Sequence, residues 1–229
     1  MQHIAIIMDG NRRWALNNKL QTVMMGHKKG AESVKKSIQW CLDNKVKYLS
    51  LYTFSLENMK RTEEEKSGIW SIMVDAIKEE TDDLVREGVS IKFLGDQSLF
   101  PDLLCKKIEH VEKKTSEGQK LHVQAMFFYG GQQEIVHVVK SLADKVKEGK
   151  ILSDDITLDT VKESLWTADI PDPEIVIRSG GFSRMSNFLT FQTAYSELFF
   201  LDVLWPDFNE SHLNDCVKKF DMIQRNFGQ

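Results

Sequence analysis

Residues 9–13 place unlike chemical groups at one point of the chain, directly after an apolar run. Asp9 can hold a metal ion, and Gly10 allows a tight turn and a close approach of the backbone to a ligand. Arg12 and Arg13 offer forked donors that match phosphate oxygens, and Asn11 can both donate and accept. The combination suits a diphosphate bound with Mg²⁺. Taken alone, the segment is explained equally well as a surface turn of solvated charges.

A second segment repeats this pattern further along the chain. The apolar residues 175–177 lead to Arg178, and two glycines are then followed by Arg184 and Ser186. Glycines let backbone N–H groups face an anion, and the two arginines with the hydroxyl would surround it. The sequence therefore predicts two anion sites at strand ends, a pattern expected of an enzyme that elongates prenyl chains.

These segments belong to a longer series of motifs that carries a family resemblance. In chain order the motifs are HIAIIMDGNRRWA, GHKKGAESVK, LSLYTFSLEN with Arg61, FLGD, YGGQQEIV, IVIRSGG, RMSNFLTFQTAYSELFF and VLWPDF. From His3 to Gly228 the chain resembles the cis-prenyltransferases of the undecaprenyl diphosphate synthase family. Several of the motifs are individually specific, and their shared order and spacing make an accidental match very improbable.

The resemblance implies a reaction and its cofactor. Isopentenyl diphosphate is added to an allylic prenyl diphosphate, with farnesyl diphosphate as the expected primer and Mg²⁺ as the cofactor. The new double bonds are cis, and the expected product is a long polyprenyl diphosphate, the undecaprenyl carrier precursor for cell-wall glycan synthesis. The allylic head would bind at residues 9–13 and His27, and isopentenyl diphosphate at Arg178, Arg184 and Ser186.

Site residues are carried over to matching positions only. Asp9 is expected to hold the metal, and Glu197 is a second carboxylate that a metal or an arginine would partner. The candidates for positioning the reacting groups or relaying the proton are Asp9, Asn11, Ser55 and Asn58. The candidates for substrate binding are Gly10, Arg12, Arg13, Trp14, His27, Phe54, Arg61, Arg178, Arg184 and Ser186.

Two of these candidates have an equally good structural interpretation. Ser55 and Asn58 are polar residues at a predicted strand end, where they could cap the helix that follows. The resemblance places the same segment in a mobile loop near the reacting carbons, and the two roles are compatible. His27 is another such case, since a lone histidine is more often structural than functional.

Several positions depart from the family's usual pattern, and the segment Leu16–Met25 is one residue longer than usual and lacks the family's arginine. Phe182 stands where an acidic residue usually follows the Gly-Gly pair, so one carboxylate on the metal side is missing. Met59 replaces a usual tryptophan, Gln132 a usual arginine and Phe128 a usual asparagine. These changes bear on metal coordination and on substrate affinity, while Asp9 and both arginine segments are retained.

Composition limits the partners of the chain. The formal net charge of −4 argues against nonspecific binding of nucleic acid. Five of the seven arginines nevertheless lie in the motifs above, which indicates one local cationic cleft. The cysteines, Cys41, Cys105 and Cys216, have no zinc-type spacing and are typical of a cytoplasmic protein. With no secretion signal and no apolar run of about 20 residues, we expect a cytoplasmic enzyme with at most transient membrane contact for product release.

Strand and helix patterns alternate along one domain, 1–229. We therefore predict an α/β fold in which a mostly parallel central sheet is flanked by helices. The predicted strands are 3–8, 48–53, 90–94, 121–127 and 175–178, and the predicted helices are 30–43, 63–87, 101–114, 132–147 and 213–227. The apolar stripe of helix 63–87 either packs solidly against the sheet or lines a hydrophobic tunnel for the prenyl tail. The resemblance favours the tunnel.

The resemblance also implies a homodimer, in which the carboxyl-terminal segment with Arg225 and Gly228 reaches toward the neighbouring site. Bulk at Thr53, Met126 and Phe127 predicts a product shorter than usual if these side chains enter the tunnel. Two other functions stay open at this point. One is a non-catalytic partner subunit of the same fold, and the other is a phosphate-binding or phosphatase-like α/β protein.

Overall fold

Helices and strands alternate through the computed structural model, which describes residues 1–224 and all of their side chains except those of residues 77 and 103. The strands are β1 His3–Ile7, β2 Tyr48–Ser55, β3 Val89–Leu94, β4 Leu121–Tyr129, β5 Ile175–Arg178 and β6 Glu197–Phe200. The helices are α1 Asn11–Asn17, α2 Met24–Asp43, α3 Glu63–Glu87, α4 Asp102–Thr115, α5 Gly131–Lys147, α6 Leu158–Lys162 and α7 Glu210–Asp221. Short 3₁₀ turns span Leu56–Lys60, Gln97–Leu99, Ser153–Asp155 and Trp205–Asp207.

The six strands form one sheet in the order β3-β4-β2-β1-β5-β6, and every neighbouring pair is parallel. β1 lies at the centre with all five residues buried, which explains its continuous apolar sequence. The chain leaves β1 toward β2 on one side and later returns to β5 on the other side. This arrangement makes the carboxyl ends of β1 and β5 a topological switch point, where ligands of such sheets bind.

The long helix α3 has the boundaries that its sequence predicts, 63–87. Thr62 caps its first turn by accepting a hydrogen bond from the Glu65 backbone N–H at 3.3 Å. Three acidic residues in the first turn stabilise the helix, because their negative charges lie at the positive end of the helix dipole. The helix ends at Gly88, whose φ of +73° is the left-handed conformation expected of a C-terminal glycine.

Helix α2 begins earlier than predicted, at Met24 and not at residue 30. Gly26 and Gly30 lie inside the helix, where it packs against α1. A Cβ at Gly26 would come 2.0 Å from the Asn11 carbonyl oxygen, and a Cβ at Gly30 would come 2.3 Å from Asn11 Oδ1. These glycines therefore serve close helix packing.

The remaining boundaries differ by short extensions. β2 and β4 continue two residues past their predicted ends, through shifts of register between Tyr52 and Ser55. The closing helix α7 begins at Glu210 and ends at Asp221, because Asn209 caps it before the predicted start at 213. Arg225, Gly228 and the predicted helical residues 225–227 lie outside the described residues. Within residues 1–224 we find no helix long and apolar enough to cross a membrane.

Candidate active site

Asp9 lies at the carboxyl end of β1, directly beside the end of β5. Its backbone N–H donates to Ser179 Oγ at 3.0 Å, and that hydroxyl donates to the Asp9 carbonyl at 2.8 Å. Gly10 then turns the chain into α1 with a φ of +115°. A Cβ at Gly10 would come 2.9 Å from Leu204 Cδ2, so the turn requires glycine in both conformation and space.

The Asp9 carboxylate is held by two arginines. Arg178 Nη2 donates to Oδ2 at 2.8 Å, and Arg13 Nη2 lies 3.3 Å from Oδ1. The Arg178 guanidinium is buried, and its Nη1 donates to Ser186 Oγ at 2.7 Å and to the Arg184 carbonyl. We call Asp9, Arg13, Arg178, Arg184 and Ser186 the Arg178 site.

An aromatic ring completes the Arg178 site. The guanidinium carbons of Arg184 and Arg13 lie 4.2 and 4.6 Å from the centroid of the Phe182 ring, and that of Arg178 lies 5.9 Å away. These distances are those of cation–π contacts. The side chain that departs from the family's acidic residue is thus in contact with all three arginines of the site.

A second group of cations surrounds Glu65 in α3. Arg61 Nη1 lies 3.1 Å from Glu65 Oε1, and Arg12 Nη1 lies 3.3 Å from Oε2. His27 Nε2 approaches Oε1 to 3.8 Å. We call Arg12, His27, Arg61 and Glu65 the Glu65 site. The sequence analysis did not identify Glu65, because in sequence it is the last of three glutamates at the start of a helix.

His27 is a neutral imidazole near pH 7. Burial, together with the positive charges of Arg61 and Arg12, lowers its pKa to about 4. Its Nε2 is buried and has no hydrogen-bond partner among the described residues. The ring can therefore exchange a hydrogen bond with a ligand without adding charge to the site.

Asn11 and the segment after β2 differ in whether their side-chain oxygens have hydrogen-bond partners. Asn11 Oδ1 is buried without a hydrogen-bond partner in the described part of the chain. Asn58 Oδ1 instead accepts the Ser55 backbone N–H at 3.2 Å, which is the capping interaction that the sequence left open. Arg61 follows this 3₁₀ turn and reaches Glu65, so the segment does bring a cation to the Glu65 site.

Two binding candidates have mainly structural contacts. Trp14 Nε1 donates to Asp207 Oδ1 at 2.8 Å, which ties α1 to the 3₁₀ turn Trp205–Asp207. Phe54 is buried and packs against the rings of Phe127 and Phe128. Neither ring lies against the cavity described next, so any effect on substrate would pass through α1 or β2.

An apolar cavity of about 420 Å³ lies between α2, α3 and the sheet. Its near end is formed by Met8, Asn11 and His27, beside both arginine groups. The wall is mostly aliphatic and includes Val34, Ile38, Leu42, Leu51, Thr53, Ile69, Ile72, Leu84, Val123 and Ala125. The stripe of α3 therefore lines a cavity, as the tunnel prediction required.

Charged side chains also line the cavity. Lys35 Nζ and Glu80 Oε1 form an ion pair at 2.5 Å, and Asp83, Arg86 and Glu87 are further lining residues. Phe127 belongs to the wall behind the lining, where it packs with Phe93 and Phe100. Met126 lies on the opposite face of the sheet, so of the three bulky positions Thr53 alone lines the cavity.

Glu197 does not join Asp9 within one chain. It is the first residue of β6 and pairs with Ile175, which in turn pairs with Ile4. These are the amino ends of the strands, whereas Asp9 follows the carboxyl end of β1. Residues 1–224 contain no group of three or more His, Cys, Asp or Glu side chains arranged for a metal ion.

The donor set nevertheless fits Mg²⁺ in one respect. Mg²⁺ commonly takes only one or two protein carboxylates and completes its shell with substrate phosphates and water. Asp9 is a partly exposed carboxylate at a cationic site, which meets that requirement. Asp9 would thus hold the ion together with a diphosphate.

Comparison with known proteins decides the family. The sequence profile of the undecaprenyl diphosphate synthase family matches residues 7–228. The chain belongs to this family. As a member it is a cis-prenyltransferase, and the resemblance carried by the motifs is confirmed.

Individual relatives agree over the whole chain. An isoprenyl transferase of Clostridium perfringens is 41% identical over 99% of this chain and 89% of that protein. A farnesyl-diphosphate-specific ditrans,polycis-undecaprenyl-diphosphate synthase of Legionella pneumophila is 40% identical, over 100% of this chain and 95% of that protein. The crystal structure of lavandulyl diphosphate synthase from Lavandula x intermedia, in complex with dimethylallyl diphosphate, is 30% identical with a TM-score of 0.96, over 100% of this chain and 98% of that one.

Proposed function

We propose that the chain condenses isopentenyl diphosphate onto an allylic prenyl diphosphate, with farnesyl diphosphate as primer, to make a long cis-polyprenyl diphosphate for the undecaprenyl carrier. One observation carries this proposal above the others. Of the six buried side-chain polar atoms without hydrogen-bond partners in residues 1–224, three belong to Asn11, His27 and Arg178. They lie at the two arginine groups, where the apolar cavity begins. Buried polar groups without partners mark places where a ligand is expected.

The two substrates divide between the two groups. The allylic diphosphate would bind near Arg12, Arg13 and His27, because the cavity that takes its tail opens at His27 and Asn11. Isopentenyl diphosphate would bind at the Arg178 site through Arg184 and Ser186. A hydrophobic tail beside a cationic head site is the arrangement that a prenyl diphosphate needs.

The chemistry follows from this arrangement. The C3–C4 double bond of isopentenyl diphosphate attacks C1 of the allylic substrate, the C1–oxygen bond breaks, and diphosphate leaves with the bonding electrons. Loss of a proton from C2 then gives the new double bond. Arg12 and Arg13 stabilise the charge that develops on the leaving group, while Asn11, Ser55 and Asn58 stay candidates for positioning or relaying the proton.

Mg²⁺ belongs to the proposal as cofactor. When bound, it neutralises diphosphate oxygens and assists departure of the leaving group. Asp9 would hold it beside Arg13 and Arg178. Glu197 lies too far along the sheet to share the same ion in one chain, so its role as a metal ligand would need a second chain.

A homodimer is part of the proposal for a separate reason. β6 is an edge strand of the sheet, and it exposes 44% of Leu198 and 36% of Phe200. Exposed apolar side chains on an edge strand favour pairing with another chain. Light scattering at micromolar concentration should give twice the chain mass, and a monomer with full activity would contradict the dimer.

The proposed reaction is tested with the purified chain alone. Labelled isopentenyl diphosphate, farnesyl diphosphate and Mg²⁺ should give labelled polyprenyl products, and chelation of the metal should stop their formation. Hydrolysis of small phosphate esters without any need for an allylic substrate would point to the phosphatase-like alternative. Absence of turnover by the folded chain would point to a non-catalytic partner subunit.

A further inference from the structure

Phe182 occupies a position that the backbone fixes closely. Two successive glycines, Gly180 and Gly181, have φ values of +91° and +74°. Their N–H groups donate to the carbonyls of Val203 and Leu201 at 2.7 and 2.8 Å. A Cβ at Gly180 would come 2.5 Å from Arg13 Nη2. The turn therefore brings the residue after it directly to the guanidiniums.

The ring holds these cations without neutralising them. Arg13 and Arg178 share a single carboxylate, Asp9, and Arg184 has no ion pair within residues 1–224. An acidic residue at this position would pair with Arg13 or Arg184 and reduce the positive charge that a diphosphate meets. A phenyl face offers a weaker, undirected attraction and takes up none of the N–H donors of the guanidiniums.

We propose that Phe182 is a positioning and specificity-determining residue, which holds Arg13 and Arg184 as a preformed site for the free, metal-unbound diphosphate of isopentenyl diphosphate. This inference rests on the proposed function for the identity of the substrate. It follows from the departure at this position, because a phenyl ring, unlike the acidic side chain of the family's usual pattern, cannot share a metal ion with the diphosphate. The difference predicts metal-independent binding of this substrate.

Binding of inorganic pyrophosphate and of isopentenyl diphosphate is measured by calorimetry in EDTA, with wild type and four variants. Phe182→Tyr retains the ring face and should bind within about twofold of wild type. Phe182→Leu removes two close cation–π contacts and should bind about tenfold more weakly. Phe182→Gln should resemble Phe182→Leu. Phe182→Glu should be a further fivefold or so weaker, because the carboxylate competes with the anion.

Added Mg²⁺ should restore binding to Phe182→Glu more than to Phe182→Gln, since the new carboxylate can share the ion. In turnover assays Phe182→Leu should raise the KM for isopentenyl diphosphate about tenfold and change kcat little. Thermal melts show whether each variant is folded, and the Tyr and Gln variants keep the test usable if the Glu variant is not.

Two results would overturn the inference. Phe182→Leu binding as tightly as wild type would show that the ring positions nothing. Equal losses in the Tyr and Leu variants would show that only side-chain shape matters. The test is separate from that of the proposed function: a wild-type chain that binds pyrophosphate through Phe182 without condensing isopentenyl diphosphate would refute the reaction and leave the anion site standing.

Discussion

The Arg178 site and the Glu65 site contain similar cations but treat them differently. In the Glu65 site one buried carboxylate occupies both Arg12 and Arg61. In the Arg178 site, Asp9 pairs with Arg13 and Arg178, and all three arginines contact the uncharged ring of Phe182. Both arginines of the Glu65 site are thus paired with its carboxylate and one net positive charge remains there, whereas the Arg178 site keeps two net positive charges.

This difference has a consequence for the order of events. A diphosphate that binds at the Glu65 site must compete with an existing ion pair, so part of its binding free energy goes into rearrangement. At the Arg178 site Arg13 and Arg178 pair with Asp9, but Arg184 has no ion pair within residues 1–224, so a diphosphate there meets one guanidinium that no carboxylate occupies. The comparison thus predicts that the segment around Arg61 rearranges when the allylic substrate binds. The Arg178 site, which takes isopentenyl diphosphate, should stay unchanged.

The largest effect is expected from Asp9, which both arginines and the metal would share. Asp9→Ala should lower turnover by about three orders of magnitude or more, because it removes the metal ligand and the group that orients Arg178. Incorporation of labelled isopentenyl diphosphate by the folded variant is the measurement. A folded variant within tenfold of wild type that still needs Mg²⁺ would refute the assignment.

Loss of Arg178 or Arg184 should act on one substrate. Each charge-assisted hydrogen bond contributes about 1.5–3 kcal/mol, so Arg178→Ala and Arg184→Ala should raise the KM for isopentenyl diphosphate tenfold to a hundredfold. Arg13→Ala should raise both KM values, because the Arg13 side chain extends from α1 to Phe182. Lys150→Ala, an exposed charge far from the site, serves as the control. A larger effect on the allylic KM for Arg184→Ala would mean that the two sites are exchanged.

Acid should destabilise the fold through its buried histidines. Burial lowers the pKa of His27 and of His3 to about 4, so between pH 6.5 and 4 the unfolded chain binds more protons than the folded chain. Stability is therefore unaffected above pH 6.5 and falls as the pH drops below it, by about 1–2 kcal/mol for each histidine at pH 5.

Urea denaturation at pH 7 and at pH 5 measures this loss. In His27→Gln the difference in the free energy of unfolding between pH 7 and pH 5 should be smaller by the contribution of His27. This holds whatever the variant's stability at pH 7. His110→Gln, an exposed histidine in α4, should leave the difference unchanged. An identical pH difference in His27→Gln and in wild type would contradict a neutral, buried His27.

The smallest effect should come from Glu65, and its direction is diagnostic. Glu65→Gln releases Arg12 and Arg61 from their shared carboxylate, so the allylic substrate should bind a few-fold more tightly. Glu64→Gln changes an exposed neighbour and is the matched control. Weaker allylic binding in Glu65→Gln would show that the carboxylate positions the arginines for the substrate, and that the Glu65 site is preassembled as well.

The sequence predicted those features that depend only on residues close together in the chain. The strand ends that carry Asp9 and Arg178 could be read from apolar runs followed by glycines, and α3 from its cap and its stripe. The start of α2 at Met24 was missed, because Gly26 and Gly30 serve packing against a neighbour in space, Asn11. No local signal distinguishes a glycine that ends a helix from one that admits another helix.

The site shows the same limit. Glu65 looks like Glu63 and Glu64 in sequence, yet it alone lies beside two arginines from other segments. Phe182 was visible as a departure, but its contact with three guanidiniums depends on how β5 meets α1. Glu197 was expected near the metal from its motif, but the register of β6 puts it at the amino ends of the strands, away from Asp9 at the carboxyl end of β1.

The charged side chains among the aliphatic lining of the cavity give a physical meaning to product length. Each methylene that moves into the aliphatic part of the wall gains about 0.8 kcal/mol, and elongation is favourable while such wall remains. Where Lys35, Glu80 and the charged residues near the end of α3 line the cavity, the surroundings change from apolar to ionic and this gain is lost. Product length would then depend on the polarity of the surroundings along the path of the tail, which responds to salt and temperature as a rigid steric stop does not.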